Sequence, residues 1–210
     1  YDNAFVRISA RDSWRLVETQ PYIAGEFRWT GFDYLGEADY AGGWPARSGD
    51  KGVFDLCGFK KDIYFFYKSR WTDEPIVHLL PHWTWPGKEG VTIPIWCYTN
   101  CDSVELFQDG VSLGRKILNA SERYYLSWDV VYQPGVLRAI GRKNGVIVTE
   151  KLVQTSGQPA RLFKTTDRNE LAADGKDVAH VSVSIVDQNG FLTPHADLAV
   201  SYSVEGPGRI

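Results

Sequence analysis

The chain has 210 residues, of which 43% are hydrophobic and 23% charged, and a formal net charge of −3. These values exclude a disordered or collagen-like protein, and the charge balance, with no basic cluster, argues against nucleic-acid binding. No apolar run approaches the roughly 18 residues of a membrane span, and three cysteines cannot form a disulfide framework. Because the chain starts at Tyr1 and contains no Met, we expect a processed protein or a piece of a longer one.

Residues 1–72 alternate helical and strand signals. Residues 9–19 have near-helical apolar spacing that ends before Pro21, and residues 22–36 (YIAGEFRWTGFDYLG) have a buried-strand pattern. After a Gly-rich loop, residues 60–71 (KKDIYFFYKSRW) predict an amphipathic helix. This alternation is typical of an α/β fold, but about 70 residues are too few to close a sheet alone. The apolar helix face comprises Ile63, Phe66, Tyr67 and Trp71.

The rest of the chain is predicted to be β. Residues 73–156 contain short strands about 8–12 residues apart, with hairpin turns at Asp109–Gly110 and Asn144–Gly145, which indicates an immunoglobulin-like sandwich. Residues 157–210 contain a strand in which Val181, Val183 and Ile185 alternate with polar residues, followed by a turn at Asn189–Gly190. That segment is too short for a whole sandwich, so we expect a second, incomplete one.

A cluster of carboxylates surrounds an indole in the first segment. Paired carboxylates beside an aromatic ring are what a glycosidase needs: one acid protonates the leaving oxygen, the other attacks or activates water, and the sugar stacks on the ring. Spacing alone favours the other interpretation, solvated acids at the end of a strand. The residues concerned are Trp29 with Glu26, Asp33, Glu37 and Asp39.

Two sets of residues superficially indicate metal sites. His78, His82, Cys97 and Cys101 are of the types that bind zinc, but a Cys-x3-Cys spacing on a strand separates the thiols unless a turn intervenes. The acids Asp174, Asp177 and Asp187 could hold calcium, although scattered acids at strand ends are more often solvated. We predict no metal at either set.

Trp83 and Trp85 alternate in the segment HWTWPG. A sugar-binding module would use such a pair as a stacking platform. A sandwich docked on a barrel would instead bury the pair at the seam between domains. We favour the seam, because the first segment ends in an aromatic helix that needs a partner.

Several strings, in order, resemble a known family. GEFRWTGFDYLGE, GDKGVFDLCGFKKDIYFFYKSRW, HLLPHWTWPGKEG, VELFQDGVSLG, WDVVYQPGVLRAIGRKNG and ADGKDVAHVSVSIVDQNG together cover essentially the whole chain. They closely resemble the C-terminal half of glycoside hydrolase family 2, the β-galactosidase and β-glucuronidase type. The resemblance implies a mostly β fold: the C-terminal end of a (β/α)8 barrel in residues 1–72, followed by immunoglobulin-like sandwiches in residues 73–156 and 157–210.

The resemblance also implies where the site residues lie. In the family the acid/base and nucleophile glutamates lie on earlier barrel strands, so we expect no catalytic residue in this chain and a structural role for Glu26. Trp29 corresponds to a tryptophan that lines the sugar subsite. Relatives that cleave glucuronides carry Asn-x-Lys before the last helix, where this chain has Phe59-Lys60-Lys61, which favours a neutral sugar such as galactose. We predict Trp29, Asp33 and Lys61 as substrate-binding residues.

The leading hypothesis is therefore the C-terminal segment of a retaining exo-β-glycosidase, β-galactosidase-like and inactive as a fragment. The alternatives are a non-catalytic glycan-binding or spacer module and, more weakly, an oligomer interface. We expect no cofactor, and as partners a carbohydrate substrate and the upstream part of the same polypeptide, with a homo-oligomer left open. We expect no nucleic acid or membrane partner, and a periplasmic or secreted location.

Overall fold

The computed structural model describes residues 8–36, 48–119 and 124–209. Strands outnumber helices in these residues, and neither helix is long or apolar enough to cross a bilayer. The helices are α1 (Ala10–Thr19) and α2 (Asp62–Trp71). The strands are β1 (Tyr34–Leu35), β2 (Ser48–Gly49), β3 (Val77–Leu80), β4 (Thr92–Thr99), β5 (Ser103–Gln108), β6 (Val111–Ile117), β7 (Leu126–Val131), β8 (Val136–Lys143), β9 (Val146–Gln154), β10 (Arg161–Thr166) and β11 (Val181–Val186).

Both predicted helices are confirmed. Helix α1 begins after Ser9, whose side chain accepts the amide N–H of Asp12 and so satisfies one of the free N–H groups of the first turn. Helix α2 buries Phe66 and Tyr67 as predicted, whereas Trp71 at its end is largely exposed.

Strands β3 to β9 form two antiparallel sheets, so the predicted β-sandwich is confirmed. One sheet has the order β3-β4-β7 and the other the order β6-β5-β8-β9. The two-residue turns Asp109–Gly110 and Asn144–Gly145 have positive φ at both positions, as type I′ hairpins require. Apolar side chains from both sheets fill the core, among them Leu79, Trp83, Ile95, Cys97, Val104, Leu106, Trp128, Val130, Tyr132 and Leu137.

The seam between α2 and the sandwich is aromatic, but it does not use the predicted tryptophans. Phe66 and Tyr67 form a buried cluster with Leu80, Tyr98 and Tyr124. The guanidinium of Arg70, from the last turn of α2, donates to the carbonyl of Thr99 in β4. Helix α2 is thus attached to the sheet by both apolar packing and a hydrogen bond.

Trp83 and Trp85 have separate positions, so both interpretations of the pair were wrong. Trp83 is 0% exposed and packs inside the sandwich, with its ring 5.0 Å from that of Tyr132. Trp85 stacks on His82 at 4.5 Å and lies 5.9 Å from His195, at the junction with residues 157–209. Strand β3 ends at Leu80, and Trp83, three residues later, packs in the sandwich core.

The prediction of a buried strand over residues 22–36 was wrong. Only Tyr34–Leu35 forms a strand, paired with β2, and the side chains of Phe27 and Trp29 are 105% and 69% exposed. A strand needs a hydrogen-bonded neighbour, and residues 22–33 have no ladder partner among the described residues beyond one bridge between Phe32 and Phe54. The apolar pattern is therefore present without the sheet that would bury it.

Residues 157–209 contain a two-stranded sheet, β10 with β11. The alternation of Val181, Val183 and Ile185 with polar residues predicts one buried and one solvent-exposed face. This contrast is not observed, because Val181 is exposed and Val183 is only half-buried. No second layer covers this sheet within the described residues. The predicted turn after β11 is confirmed: Asp187 accepts the amide N–H groups of Asn189 and Phe191, and Gly190 has φ of 90°.

Candidate active-site segment

Trp29 lies on a loop that is hydrogen-bonded to the segment before α2. The amide of Asp33 donates to the carbonyl of Phe54 at 2.9 Å, and the amide of Phe54 donates to the carbonyl of Gly31 at 2.9 Å. Tyr34 contacts the indole edge-on, with ring centroids 6.4 Å apart, and its hydroxyl lies 3.4 Å from the indole Nε1. The loop backbone is therefore held while the face of the indole remains exposed.

One side of Trp29 borders an open cleft of about 530 Å³. Its walls come from the start of α1, the segment that leads to Trp29, the loop before Gly52, helix α2 and the sandwich. Polar and aromatic groups alternate around it, a combination that suits a ligand with both hydroxyls and an apolar face. The side chains that border it include Arg11, Ser13, Glu26, Arg28, Trp29, Asp50, Lys51, Tyr67, Trp96 and Tyr125.

Asp33 and Lys61, both predicted to bind substrate, contact each other. The Lys61 ammonium lies 2.7 Å from each carboxylate oxygen of Asp33 and also donates to the carbonyl of Asp50 at 2.8 Å. Asp33 further accepts the amide N–H of Gly52 at 2.7 Å. Neither side chain is among those that border the cleft.

Glu26 is engaged with its own surroundings. Its carboxylate accepts the hydroxyl of Ser13 from α1. Burial, and secondarily the negative charge of Glu26, raise the pKa of Tyr67 to about 12. The other predicted acids of this region, Glu37 and Asp39, lie outside the described residues.

The residues considered for zinc have other contacts. His78 pairs with Asp62 of α2 at 2.8 Å, and its ring stacks on Phe65 at 3.7 Å. Burial raises the pKa of the Cys97 thiol far above its usual value, which disfavours the thiolate that a metal would need. Across residues 8–36, 48–119 and 124–209, no three His, Cys, Asp or Glu side chains are grouped as metal ligands.

The three acids considered for calcium bind backbone amides. Asp174 accepts the N–H groups of Lys176 and Asp177, and these bonds lower the pKa of its carboxyl. Asp177 accepts the amide of Ala172, and Asp187 accepts that of Gly157. Asp174 and Asp177 thus stabilise their own loop, and Asp187 connects its turn to Gly157.

Sequence reasoning missed the cleft walls contributed by the Gly-rich loop and by the sandwich. Asp50 and Lys51 lie in a stretch that was interpreted only as a loop. Trp96 and Tyr125 stack at 4.0 Å on the outer side of the β3-β4-β7 sheet. A usable signal was present for Trp96, since it alternates in β4 with the buried Ile95 and Cys97 and so faces away from the core.

Comparison with known proteins identifies the family of this chain. The model of glycoside hydrolase family 2 C-terminal domain 5 matches residues 162–210, and that of a domain of unknown function (DUF4982) matches residues 90–149. Beta-galactosidase BoGH2A of Bacteroides ovatus is 45% identical over 201 residues, covering 95% of this chain and 23% of the relative. The chain belongs to glycoside hydrolase family 2. It corresponds to a C-terminal portion of the family's longer proteins.

Two further relatives are named for other activities. A putative beta-glucuronidase of Formosa agariphila is 43% identical over 209 residues, covering 98% of this chain and 20% of the relative. The crystal structure of a beta-glycosidase from Bacteroides vulgatus superposes with a TM-score of 0.86 at 47% identity, covering 93% of this chain and 24% of that one. The chain thus spans between a fifth and a quarter of the length of these family 2 proteins.

Proposed function

We propose that the polypeptide containing this chain is a retaining exo-β-glycosidase that hydrolyses terminal β-linked neutral sugars, most readily β-galactosides. The main support is an exposed indole at the edge of a polar and aromatic cleft, in a chain 45% identical to a protein named a beta-galactosidase. In this proposal residues 1–72 complete a (β/α)8 barrel, and the two catalytic glutamates lie upstream of Tyr1.

Trp29 supplies one wall of the sugar subsite. The apolar face of a pyranose ring stacks on an indole, and contact improves as the ring flattens toward an oxocarbenium ion. An interaction that strengthens in the transition state raises kcat/KM rather than ground-state affinity alone. The 69% exposed indole, held at its edge by Tyr34, is free to make that contact.

The neutral-sugar preference is supported by Lys61. An ammonium group has three N–H donors, and here both Asp33 oxygens and the Asp50 carbonyl lie within 2.8 Å of the nitrogen. A substrate carboxylate would have to displace one of these bonds. Phe59 is exposed and does not border the cleft, so Lys61 rather than this ring supports the preference.

A β-glucuronidase is the second candidate. Arg28 and Lys51 border the cleft and could attract a carboxylate, and the Formosa agariphila relative is named a putative beta-glucuronidase. Kinetics of the intact polypeptide on aryl β-galactoside and aryl β-glucuronide separate the two. We expect the galactoside to have a kcat/KM about 10- to 150-fold higher, which corresponds to one charged hydrogen bond.

The outcomes of this assay are distinct. Equal rates, or a faster glucuronide, would overturn the neutral-sugar preference and favour the second candidate. Absence of turnover on every aryl β-glycoside would overturn the glycosidase proposal and favour a glycan-binding or spacer module.

A further inference from the structure

We propose that Asp33 and Lys61 form a positioning pair that holds the loop carrying Trp29, and that neither side chain contacts the substrate. This inference rests on the proposed glycosidase function for its kinetic test. It replaces the substrate-binding role that the sequence predicts for the two residues.

The pair makes several bonds within the protein. Asp33 accepts from the Lys61 ammonium and from the amide of Gly52, while Lys61 also donates to the carbonyl of Asp50. The pair thereby joins three stretches of chain: the loop after Trp29, the loop before α2, and the N-cap position of α2, which Lys61 occupies. A group with its donors and acceptors already bonded within the protein has little capacity left for a ligand.

The pair is more shielded from solvent than Trp29 is. The Asp33 side chain is 9% exposed and that of Lys61 29% exposed, whereas Trp29 is 69% exposed. The pair therefore lies behind the loop whose indole borders the cleft. If the mostly shielded Asp33 carboxylate lost its ammonium partner, it would be an uncompensated charge, so the surrounding backbone would rearrange.

The backbone is tightly packed beside Asp33. A Cβ on Gly52 would lie 2.2 Å from the amide nitrogen of Asp33, so the two loops are in direct backbone contact. Tyr34, the residue after Asp33, is the one that contacts the edge of the indole. A shift at Asp33 is therefore transmitted to Trp29 through a single intervening residue.

The test is a kinetic double-mutant cycle in the intact polypeptide. Lys61→Met should lower kcat/KM by about 10- to 100-fold, the effect of misplacing a group by roughly 1 Å, and by the same factor on neutral and anionic aryl glycosides. In a Trp29→Ala background, Lys61→Met should lower kcat/KM little further. Lys61→Arg, which keeps the charge, should recover most of the activity.

The matched control is Lys60→Met. Lys60 is the neighbouring lysine and lies over the ring of Tyr64 at 4.7 Å, away from Asp33, so we expect kinetics close to the wild type. A Lys61→Met effect that adds fully to Trp29→Ala, or that is confined to anionic substrates, would overturn the positioning role. The first result would indicate general destabilisation and the second direct substrate contact.

A second readout does not need turnover. With 5-fluorotryptophan incorporated, and the Trp29 signal assigned by its loss in Trp29→Phe, Lys61→Met should shift or broaden that ¹⁹F resonance while Lys60→Met leaves it in place. An unchanged Trp29 resonance in Lys61→Met would overturn the proposal. If the wild type cleaves no glycoside, the glycosidase function fails, and this resonance alone decides the role of the pair.

Discussion

Substitution of an exposed and of a buried tryptophan should affect different properties, activity in the first case and stability in the second. In the intact polypeptide, Trp29→Ala should reduce kcat/KM strongly while the free energy of unfolding changes by about 0.5 kcal/mol or less, because the indole is mostly exposed. Trp83→Ala should lower the free energy of unfolding by about 3–5 kcal/mol, because Trp83 is completely buried in the sandwich core.

Steady-state kinetics and urea unfolding on the same preparations make this comparison. Trp29→Phe is the control for the first variant, since it keeps an aromatic face. A Trp83→Ala variant with unchanged stability and lost glycan binding would contradict the placement of Trp83 and support the binding-module alternative.

Glycine is required at position 52 for space. A methyl group there would meet the backbone of Phe32, Asp33 and Phe54 at 2.2–2.4 Å, so Gly52→Ala should cost about 1–3 kcal/mol of stability. Gly25→Ala is the matched control, because a Cβ at Gly25 meets nothing within 4 Å. Urea unfolding of both variants measures the difference, and equal stabilities would contradict the close contact between the two loops.

At the scale of elements, the junction between the sandwich and residues 157–209 contains two facing histidines. The rings of His82 and His195 are 5.0 Å apart, and His195 bonds to the carbonyl of Thr84 through Nε2 at 2.9 Å. Burial, and secondarily the charge of His195, lower the pKa of His82, while Asp62 opposes the shift. The folded junction therefore favours neutral His82.

This arrangement predicts a loss of stability in mild acid. Since the pKa of His82 is lower in the folded than in the unfolded state, the unfolded chain binds more protons as the pH falls through about 6.5, and the free energy of unfolding decreases. Urea unfolding at pH 7.5 and pH 5.5 should show the decrease, and His195→Gln should reduce it. His180→Gln, at an exposed histidine outside the junction, should not reduce it. If the free energy of unfolding decreased as much in His195→Gln as in the wild type, the facing rings would not be the cause.

At the scale of the whole molecule, we expect the 210-residue chain by itself to release no nitrophenol from aryl β-glycosides above background. The two glutamates that the mechanism requires are proposed to lie upstream, and Glu26 is engaged with Ser13. Circular dichroism with the β signature of the sandwich should accompany the assay, so that inactivity is measured on folded protein. Turnover that disappears in Glu26→Gln or Asp33→Asn would relocate the active site to this chain.

The features predictable from sequence are those encoded by neighbouring residues. Helix α1 follows from its N-cap Ser9 and the helix end before Pro21, and the hairpins follow from Asp-Gly and Asn-Gly pairs that accept positive φ. The strand pattern over residues 22–36 failed, because the same apolar alternation has no hydrogen-bonded partner to complete it in the described chain.

By itself, the sequence determined the helices, the sandwich strands, the family and Trp29 as the candidate sugar-contacting residue. Only the tertiary structure decided which side chains meet: that Lys61 bonds Asp33 across 28 residues, that Trp83 lies in the core while Trp85 stacks on His82, and that Trp96 borders the cleft. The physical reason is the range of the interactions. Capping and turn conformations depend on residues within one turn of the chain, whereas a buried ion pair or an aromatic stack depends on how distant segments are brought together.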